Sequence, residues 1–261
     1  QQGASALLIA PTGAGKTLAG FLPALVDLES RKKSKPGARM KGPKRGIHTL
    51  YISPLKALAV DIKRNLEKPI EGMGLDVSLE TRTGDTPQHK RQRQKLVPPD
   101  ILLTTPEQLS LLVASKDAAR FFEDLRFVVL DELHSLVTSK RGHLLSLALA
   151  RLHKYRPELI SIGLSATVSD PDELRRWLVP QGALGEVKMS DLVHVDGGAK
   201  PDITILNSLQ RVPWSGHLAR HAMPEIYEAI KQHQTSLLFV NTRAQAELVF
   251  QELWKINDDS L

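Results

Sequence analysis

The chain has 261 residues, and its 35 lysines and arginines against 29 aspartates and glutamates give a formal charge of +6. This length predicts one or two domains, and a content of 41% hydrophobic and 25% charged residues excludes disordered, collagen-like and fibrous classes. Cysteine is absent, which excludes a disulfide scaffold, thiolate catalysis and cysteine-ligated zinc or iron–sulfur sites. No apolar run approaches the roughly 18 residues that a membrane span needs, so no membrane partner is expected.

Short apolar runs alternate with amphipathic stretches along the chain, which is typical of a parallel sheet covered by helices. Each run has the length of a buried strand. In chain order, the predicted strands are residues 6–10, 49–52, 77–79, 101–104, 127–130, 159–164 and 236–240. The predicted helices are residues 17–28, 55–66, 106–114, 144–153, 224–232 and 243–254. The pattern predicts an α/β fold with helices on both faces of the sheet.

The regular alternation loosens over residues 179–213, because four glycines and three prolines interrupt it. We therefore expect a first domain over residues 1–195, a linker over 196–222 and the truncated start of a second domain over 223–261. One strand and two helices cannot enclose a core of their own. Because the chain begins with Gln1 rather than Met, it is expected to be part of a longer gene product.

The strongest motif lies between the first predicted strand and the first predicted helix. Glycines in such a loop let backbone N–H groups curl round phosphates at a helix N-terminus, Lys16 supplies a charge for the β and γ phosphates, and the Thr17 hydroxyl can ligate Mg²⁺. Ala10 stands where the general P-loop pattern has glycine, and a glycine-rich turn without a ligand is the alternative. The predicted ATP-binding residues are Pro11, Thr12, Gly13, Ala14, Gly15, Lys16 and Thr17.

Two acids, Asp131 and Glu132, directly follow the apolar run 127–130. Burying carboxylates at the end of a strand costs free energy unless they are paired or bind a ligand. Beside a P-loop, Asp131 is expected to hold Mg²⁺, directly or through water, and Glu132 to orient and polarise the attacking water. An isolated Asp-Glu pair commonly starts a helix instead, so the upstream P-loop decides in favour of catalysis.

With Leu133 and His134 the acidic pair forms a DExH box, and further short motifs follow the predicted strands in order. These motifs are Pro54-Leu55-Lys56-Ala57-Leu58, Thr83-Gly84-Asp85, Thr104-Thr105-Pro106-Glu107, Ser165-Ala166-Thr167 and Phe239-Val240-Asn241-Thr242-Arg243. Each is weak alone, but the ordered set resembles motif Ia, the glycine-aspartate turn and motifs Ib, III and IV of superfamily-two helicases. The wording of the last motif, followed by Gln245 and Glu247, is most similar to the Lhr-type, or large helicase-related, branch.

The resemblance implies a RecA-like parallel sheet of the P-loop NTPase class, followed by the start of a second RecA-like domain. It also implies an ATP-driven motor with Mg²⁺ as cofactor. Such a motor moves in the 3′ to 5′ direction along single-stranded or partly duplex nucleic acid, with DNA favoured over RNA. The implied location is cytoplasmic, or nucleoid-associated in a prokaryote, and no oligomeric state is predicted.

Loops at the strand ends are expected to contact phosphates through backbone N–H groups, threonine hydroxyls and basic side chains, which position a strand without reading its bases. The resemblance assigns this contact to Pro54, Lys56, Arg82, Thr83, Gly84, Thr105, Pro106, Asn241, Thr242 and Arg243. For Arg82, ordinary turn chemistry is an equal alternative. His134 is expected near the γ-phosphate and within reach of Ser165 or Thr167, a set that the family uses to couple hydrolysis to strand grip.

Residues 31–45 form a basic segment with eight lysines and arginines and no acid. Without those eight charges the net charge changes from +6 to −2, so the positive excess is local. Its glycines and prolines predict a flexible loop. A phosphate-contacting arm that adds salt-sensitive affinity and a solvated loop insertion remain equal interpretations.

The resembled family places ATP between two RecA-like domains, and arginines of the second domain are worth ~10³ to 10⁵ in rate. We therefore expect this polypeptide alone to keep a nucleotide pocket, to hydrolyse ATP very slowly and to unwind nothing.

Competing interpretations are a P-loop kinase or transport ATPase, an RNA helicase of the DEAD/DExH class, and a nucleic-acid-binding module with a non-hydrolysing ATP site. Motifs Ia, Ib and III argue against the first, and the intact P-loop and acidic pair argue against the last. RNA stays open because both nucleic acids are gripped through phosphates.

Overall fold

The computed structural model describes residues 3–33, 46–166, 168, 170–182, 185–195, 197, 202–208 and 219–258. Contacts between Cα atoms divide the chain into two compact units, Gln1–Gly198 and Ala199–Leu261. The division falls inside the predicted linker, and the predicted domain bounds stay a prediction. Most of the basic segment, residues 34–45, lies outside the described residues, so its role also stays a prediction.

The first unit alternates strands and helices along the chain, as the spacing of the apolar runs predicts. Its described strands are β1 (Ala6–Ile9), β2 (Thr49–Ile52), β3 (Leu79–Arg82), β4 (Ile101–Thr104), β5 (Phe127–Leu130), β6 (Ile160–Ser165) and β7 (Asp191–His194). Its described helices are α1 (Lys16–Lys33), α2 (Lys56–Gly72), α3 (Gln88–Leu96), α4 (Pro106–Val113), α5 (Ala118–Phe121), α6 (Leu133–Val137), α7 (Lys140–Tyr155) and α8 (Pro171–Trp177). In the part of the chain that the structure describes, no helix is both long and apolar enough to cross a membrane.

The strands form one sheet in the order β3-β4-β2-β5-β6-β1-β7, and each neighbouring pair is parallel. Parallel pairing brings the carboxyl ends of the strands to one edge of the sheet, where α/β proteins bind their ligands. The register is even along that edge, since Ile9 lies opposite Ser165, and Ile52 lies opposite both Leu130 and Thr104. Loops that are far apart in sequence therefore emerge side by side.

Both faces of this sheet are buried under helices. Successive residues of a strand point to opposite faces, so Leu50 and Ile52 of β2 pack in a cluster with α4, α6, α7 and α8. Tyr51 lies on the other face, in a cluster with α1 and α2, and its ring stacks on Phe21 with centroids 5.3 Å apart. Burial on both sides explains the near-continuous apolar runs of the central strands. The predicted α/β fold is confirmed.

Local signals start two of the helices that cover the sheet. Ser139 precedes α7 and its Oγ accepts a hydrogen bond from the Gly142 N–H at 3.1 Å. A Cβ at Gly142 would lie 2.0 Å from the Leu136 carbonyl oxygen, so only glycine lets α7 approach α6 this closely. Asp170 caps α8 by accepting from the next two free N–H groups at 3.0 and 3.3 Å. Each cap contributes about 1 kcal/mol.

Two strands of the first unit differ from the sequence prediction. The strand predicted at residues 77–79 lies at Leu79–Arg82, because the Ser78 N–H and hydroxyl both donate to Asp100 Oδ2 at 2.7 Å and fix the chain just before it. β7 forms inside the region that was expected to be irregular. Its four residues are exposed and read polar, apolar, apolar, polar, so this short edge strand has neither an apolar run nor a regular alternation.

The second unit consists, in its described part, of a 3₁₀ turn (Arg220–Ala222) and the packed helices α9 (Met223–Lys231) and α10 (Arg243–Asp258). The strand predicted at residues 236–240 is absent from the described secondary structure, and Leu237 and Phe239 are 80% and 87% exposed. That prediction is wrong because no other strand in the described part of this unit offers a partner. A second RecA-like domain beginning here stays a prediction.

Candidate nucleotide and nucleic-acid site

The loop between β1 and α1 has the geometry that phosphate binding requires. Gly13 and Gly15 have φ angles of 83° and 77°, a left-handed backbone that glycine adopts without a clash. The Lys16 Nζ donates to the Ala10 carbonyl oxygen at 2.5 Å, so this ammonium spans the loop. Residues 12–15 are exposed. The loop therefore presents backbone N–H groups and one cation at the N-terminus of an 18-residue helix.

Asp131 lies at the end of β5 and is only 8% exposed. Its Oδ2 accepts a hydrogen bond from the Tyr51 hydroxyl, and its Oδ1 accepts from the Glu132 N–H at 3.0 Å. Burial and the neighbouring Asp131 charge raise the pKa of Tyr51 well above its ordinary value, so Tyr51 remains a donor. The carboxylate of Asp131 is therefore held in one orientation from two sides.

Glu132 has an unusual backbone conformation directly after Asp131. Its φ of 50° and ψ of 43° lie in the left-handed region, which costs a non-glycine residue about 1–2 kcal/mol. Such strain concentrates at functional sites, where the surrounding structure maintains it. The Glu132 Oε2 lies 3.4 Å from the His134 Nε2. The strained backbone of Glu132, rather than regular helix geometry, therefore sets the direction of its side chain.

His134 connects the acidic pair to β6. Its Nδ1 lies 2.7 Å from the Ser165 Oγ, while its other ring nitrogen faces Glu132. Ser165 also reaches the P-loop, because its carbonyl oxygen accepts from the Ala10 N–H at 3.2 Å. The structure brings His134 and Ser165 together, whereas Thr167 lies outside the described residues. A continuous path of contacts therefore joins the phosphate loop to Glu132.

The strand order divides the loops of this edge into two neighbouring groups. Loops after β1, β6 and β5 form what we call the nucleotide half, which comprises residues 10–17, Asp131, Glu132, His134 and Ser165. Loops after β2, β4 and β3 form the distal half, which comprises Pro54, Lys56, residues 83–86, Thr105 and Pro106. The two halves adjoin where β5 pairs with β2.

Lys56 is the exposed cation of the distal half. Its Nζ donates to both carboxylate oxygens of Asp85, at 2.9 and 3.0 Å. The Lys56 side chain is 55% exposed and the Asp85 side chain 77%. Ion pairs this exposed are worth about 0–1 kcal/mol, so Lys56 can exchange Asp85 for another anion at little cost.

Arg82 and Thr83, both predicted to contact nucleic acid, are buried. The Arg82 Nη1 donates to the Arg91 carbonyl oxygen at 3.2 Å, and burial followed by the charge of Arg91 lowers the pKa of Arg82. Thr83 Oγ1 accepts from the Asp85 N–H at 3.4 Å. In the structure both side chains support the turn that follows β3, and their contact with nucleic acid stays a prediction.

Thr105 and Pro106 shape the loop after β4 from inside. Both are buried at the start of α4, with Pro106 at the first helical position. Arg141 of α7 grips the next residue, Glu107, through Nε at 2.5 Å and Nη2 at 3.2 Å. Burial raises the pKa of Glu107, but hydrogen bonds from Arg141, from the Glu107 backbone and from Thr105, together with the Arg141 charge, outweigh it, and the net pKa is lowered. α4 is therefore fixed against α7 next to this loop.

Asn241, Thr242 and Arg243 belong to the second unit, where they are exposed at the start of α10. The Gln245 N–H donates to Thr242 Oγ1 at 3.2 Å, and the Gln245 side chain accepts from the Asn241 N–H at 3.1 Å. This reciprocal arrangement resembles a capping box and starts the helix. Their contact with nucleic acid stays a prediction.

Two residues of the site escaped the sequence analysis. Tyr51 stands inside an apolar run and has the pattern of a core residue, yet it pairs with Val129, two residues before Asp131. The parallel register alone could have indicated that its hydroxyl meets the carboxylate. Arg91 stands in a helix rich in charge, where one basic residue among several carries no local signal.

Thr17 and Asp131 are oxygen donors of the kind that Mg²⁺ prefers. Each Asp131 carboxylate oxygen accepts one hydrogen bond and keeps a further lone pair for a cation or for its bound water. No group of three or more histidines and acids arranged to hold a metal ion occurs among the described residues. Mg²⁺ needs no such group, because it is held by one or two protein groups together with substrate phosphates. The residues present fit the ion.

The parallel sheet with covered faces, the phosphate loop after β1 and the acidic pair after β5 define a RecA-like P-loop NTPase fold. Residues 1–174 match the family model described as DEAD/DEAH box helicase, which is two thirds of the chain. The chain therefore belongs to the DEAD/DEAH box helicase family.

Curated relatives of this chain include helicases of the Lhr type. The ATP-dependent helicase Lhr-Core of Methanothermobacter thermautotrophicus is 35% identical over 97% of this chain and 30% of the relative. The Lhr helicase/probable uracil glycosylase of Mycolicibacterium smegmatis is 35% identical over 98% of this chain and 17% of the relative. The chain spans less than a third of these relatives, and the predicted resemblance to the Lhr-type branch is confirmed.

Solved structures agree with the fold. The helicase Lhr of Mycobacterium smegmatis, bound to ssDNA and AMP-PNP, is similar with a TM-score of 0.77 and 33% identity, covering 99% of this chain and 33% of that one. The DUF1998 helicase MrfA is similar with a TM-score of 0.72 and 25% identity, covering 100% of this chain and 37% of that one. The predicted fold class is therefore confirmed at the level of the whole sheet.

Proposed function

We propose that the chain is the ATP-binding part of an ATP-dependent nucleic-acid helicase or translocase that acts on DNA in the 3′ to 5′ direction. The observation that carries the proposal is the division of one sheet edge into a nucleotide half and an adjoining distal half. In a motor the hydrolysis site and the strand contact must be coupled, so that the state of one changes the affinity of the other. A motor accounts for both halves, whereas a P-loop kinase or transporter accounts for the nucleotide half alone.

In the nucleotide half, the backbone N–H groups of residues 12–15 and the Lys16 ammonium receive the phosphates of ATP. Thr17 and Asp131 hold Mg²⁺, which when bound neutralises charge on the β and γ phosphates. Glu132 orients the attacking water and accepts its proton. The hydrogen bonds of Asp131 to Tyr51 and to the Glu132 N–H keep the acidic pair in place throughout.

His134 and Ser165 transmit the state of the nucleotide half. The chain of contacts from Ala10 through Ser165 and His134 to Glu132 has steps of 3.2, 2.7 and 3.4 Å. A displacement of the phosphate loop is therefore transmitted through these contacts to Glu132, the acid that orients the water. We assign this pair to the coupling of hydrolysis with strand grip.

The distal half contacts the sugar-phosphate backbone, with Lys56 as its exposed cation and with the backbone of residues 83–86 beside it. Contacts to phosphates position a strand but do not read its sequence. DNA is favoured because a relative 33% identical to this chain has been solved with ssDNA. A cytoplasmic location, at the nucleoid in a prokaryote, belongs to the same proposal.

The test is ATP hydrolysis by the complete gene product, titrated with single-stranded DNA and with RNA of the same sequence. We expect saturable stimulation that is stronger with DNA, and its loss in the Lys16→Ala variant. Strand displacement should require a 3′ single-stranded tail rather than a 5′ tail. A rate that neither nucleic acid changes would contradict the motor function, whereas stronger stimulation by RNA would overturn only the choice of substrate.

A further inference from the structure

The turn over residues 83–86 leaves β3 in the distal half, and a side chain from α3 determines its shape. The Arg91 Nε donates to the Thr86 carbonyl oxygen at 2.7 Å, and its Nη2 donates to the carbonyl oxygens of Thr83 and Gly84 at 3.1 and 2.6 Å. A guanidinium is planar and donates in a fixed fork. The three bonds together therefore orient three peptide groups of one turn.

The turn over residues 83–86 also determines where Lys56 lies. The Lys56 Nζ is bonded to Asp85 in the middle of the turn, at 2.9 and 3.0 Å. A Cβ placed on Gly84 would lie only 3.3 Å from the same Nζ, so the ammonium rests directly on the turn. The Thr83 N–H donates to Thr86 Oγ1 at 2.9 Å and closes the loop. Any change in the turn consequently moves the exposed cation.

Arg91 is itself fixed within the first turn of α3. Its N–H donates to the Pro87 carbonyl oxygen at 3.0 Å, and its own carbonyl oxygen accepts from Arg82 Nη1 at 3.2 Å. The acceptors of its guanidinium in these bonds are carbonyl oxygens, which are dipoles and not charges. These bonds orient the backbone of the turn without pairing the Arg91 charge with an acid.

We propose that Arg91 is a positioning residue for nucleic-acid binding. It holds residues 83–86, and through them Lys56, in the arrangement that receives the phosphates of the bound strand. The inference rests on the proposed function and adds to it a residue that acts through others. A preformed contact surface binds more tightly than a mobile one because less ordering is needed on binding.

The test compares Arg91→Lys and Arg91→Gln with the wild-type complete gene product. Lysine keeps the charge but cannot donate to three carbonyl groups in a fork, and glutamine loses both charge and fork. Arg93→Lys is the matched control, because Arg93 lies on the same helix and forms an exposed ion pair with Glu80 at 2.6 Å. ATPase rates are titrated with a single-stranded oligonucleotide at several salt concentrations, and thermal melting reports on folding.

We expect both Arg91 variants to raise the oligonucleotide concentration for half-maximal stimulation about five- to ten-fold, the size expected when binding has to order one or two additional side chains. The rate at saturating oligonucleotide, the melting temperature and the salt dependence should stay at the wild-type values. Arg93→Lys should behave as wild type in each measurement. A purely structural role would instead lower the melting temperature and the saturating rate.

Two further results would overturn the inference while leaving the proposed function intact. In the first, Arg91→Lys retains wild-type half-saturation and Arg91→Gln alone weakens it with a shallower salt dependence, which identifies a direct phosphate contact. In the second, neither variant changes half-saturation. A wild-type protein that nucleic acid does not stimulate would contradict the proposed function itself, and the inference with it.

Discussion

The nucleotide half and the distal half lie on one sheet edge, but they hold their charges in different ways. In the nucleotide half, Asp131 is buried and both of its carboxylate oxygens accept hydrogen bonds from inside the chain. In the distal half, Lys56 and Asp85 are exposed and form an ion pair with each other, on a turn held by Arg91. Buried, oriented charge suits chemistry, which needs fixed geometry, whereas exposed charge suits a partner that is repeatedly gripped and released.

This difference implies that substitutions in the two halves change different quantities. A change in the nucleotide half should lower the rate of hydrolysis at saturating nucleic acid. A change in the distal half should raise the amount of nucleic acid needed and leave that rate in place. A change at His134, which contacts Glu132 and Ser165, should alter both the rate and the use of nucleic acid.

The largest effect is expected from Glu132→Gln, which keeps the shape of the side chain but removes the base. General-base catalysis contributes about 10²–10⁴-fold, so the saturating ATPase rate should fall by at least about 100-fold. Binding of a fluorescent ATP analogue should persist. Glu158→Gln, at an exposed glutamate away from the edge, is the control and should keep the wild-type rate. A Glu132→Gln variant with full turnover would refute the assigned role.

His134→Asn should separate the two halves. The Ser165 contact at 2.7 Å is lost or lengthened, so strand displacement per ATP hydrolysed should fall about ten-fold, within the range of typical coupling energies. Hydrolysis should fall less than displacement does. Parallel assays of ATP consumption and duplex unwinding measure the ratio. Equal losses in both assays would show that His134 acts only in the chemistry.

Lys56→Ala should weaken strand binding several-fold and reduce the slope of log affinity against log salt by about one. The saturating ATPase rate should remain. Lys63→Ala is the matched control, since Lys63 lies on the same helix α2 and pairs with Glu67 at 3.3 Å. Fluorescence anisotropy with a labelled oligonucleotide gives both affinity and slope. An unchanged slope would remove Lys56 from the phosphate contacts.

The smallest effect concerns pH and lies away from the edge. His48 precedes β2, and burial lowers its pKa despite a 2.8 Å hydrogen bond to Asp27. The unfolded chain therefore takes up the proton first, so the free energy of unfolding should be constant above about pH 6.5 and fall below it. His153, whose pKa burial also lowers, acts in the same direction.

Urea unfolding between pH 5.5 and 8 measures this dependence, and a His48→Gln variant should show a shallower fall below pH 6.5. Nucleotide binding should not follow the same curve, because His48 lies at the amino-terminal end of β2 and the site lies at the other end. A steeper fall in the variant would contradict the assignment.

The motifs of the nucleotide half are contiguous in the sequence, whereas the contacts that shape the distal half are not. A phosphate loop and an acidic pair each need adjacent residues on one turn, so each is a contiguous motif in the sequence. Tyr51 and Arg91 act on residues that only the folded sheet brings near, and neither has a local pattern. Arg82 shows the converse, because its place next to a motif suggested a nucleic-acid contact, with turn chemistry as an equal alternative, and the fold buries its side chain.

The fold itself was predictable wherever apolar runs are buried on both faces. Strands β2, β4 and β5 lie where the runs placed them. β7 was missed because an exposed edge strand lacks such a run, and the strand predicted at residues 236–240 is missing because its described unit offers no partner. Burial by neighbours, which sequence alone does not contain, decides both cases.

The division of the edge is tested most directly by one crossed measurement on wild type, Glu132→Gln and Lys56→Ala. Oligonucleotide affinity without nucleotide and ATPase rate at saturating oligonucleotide are measured for all three. We predict that Glu132→Gln loses the rate and keeps the affinity, and that Lys56→Ala keeps the rate and loses affinity. A single variant that lowers both quantities in equal proportion would contradict the division.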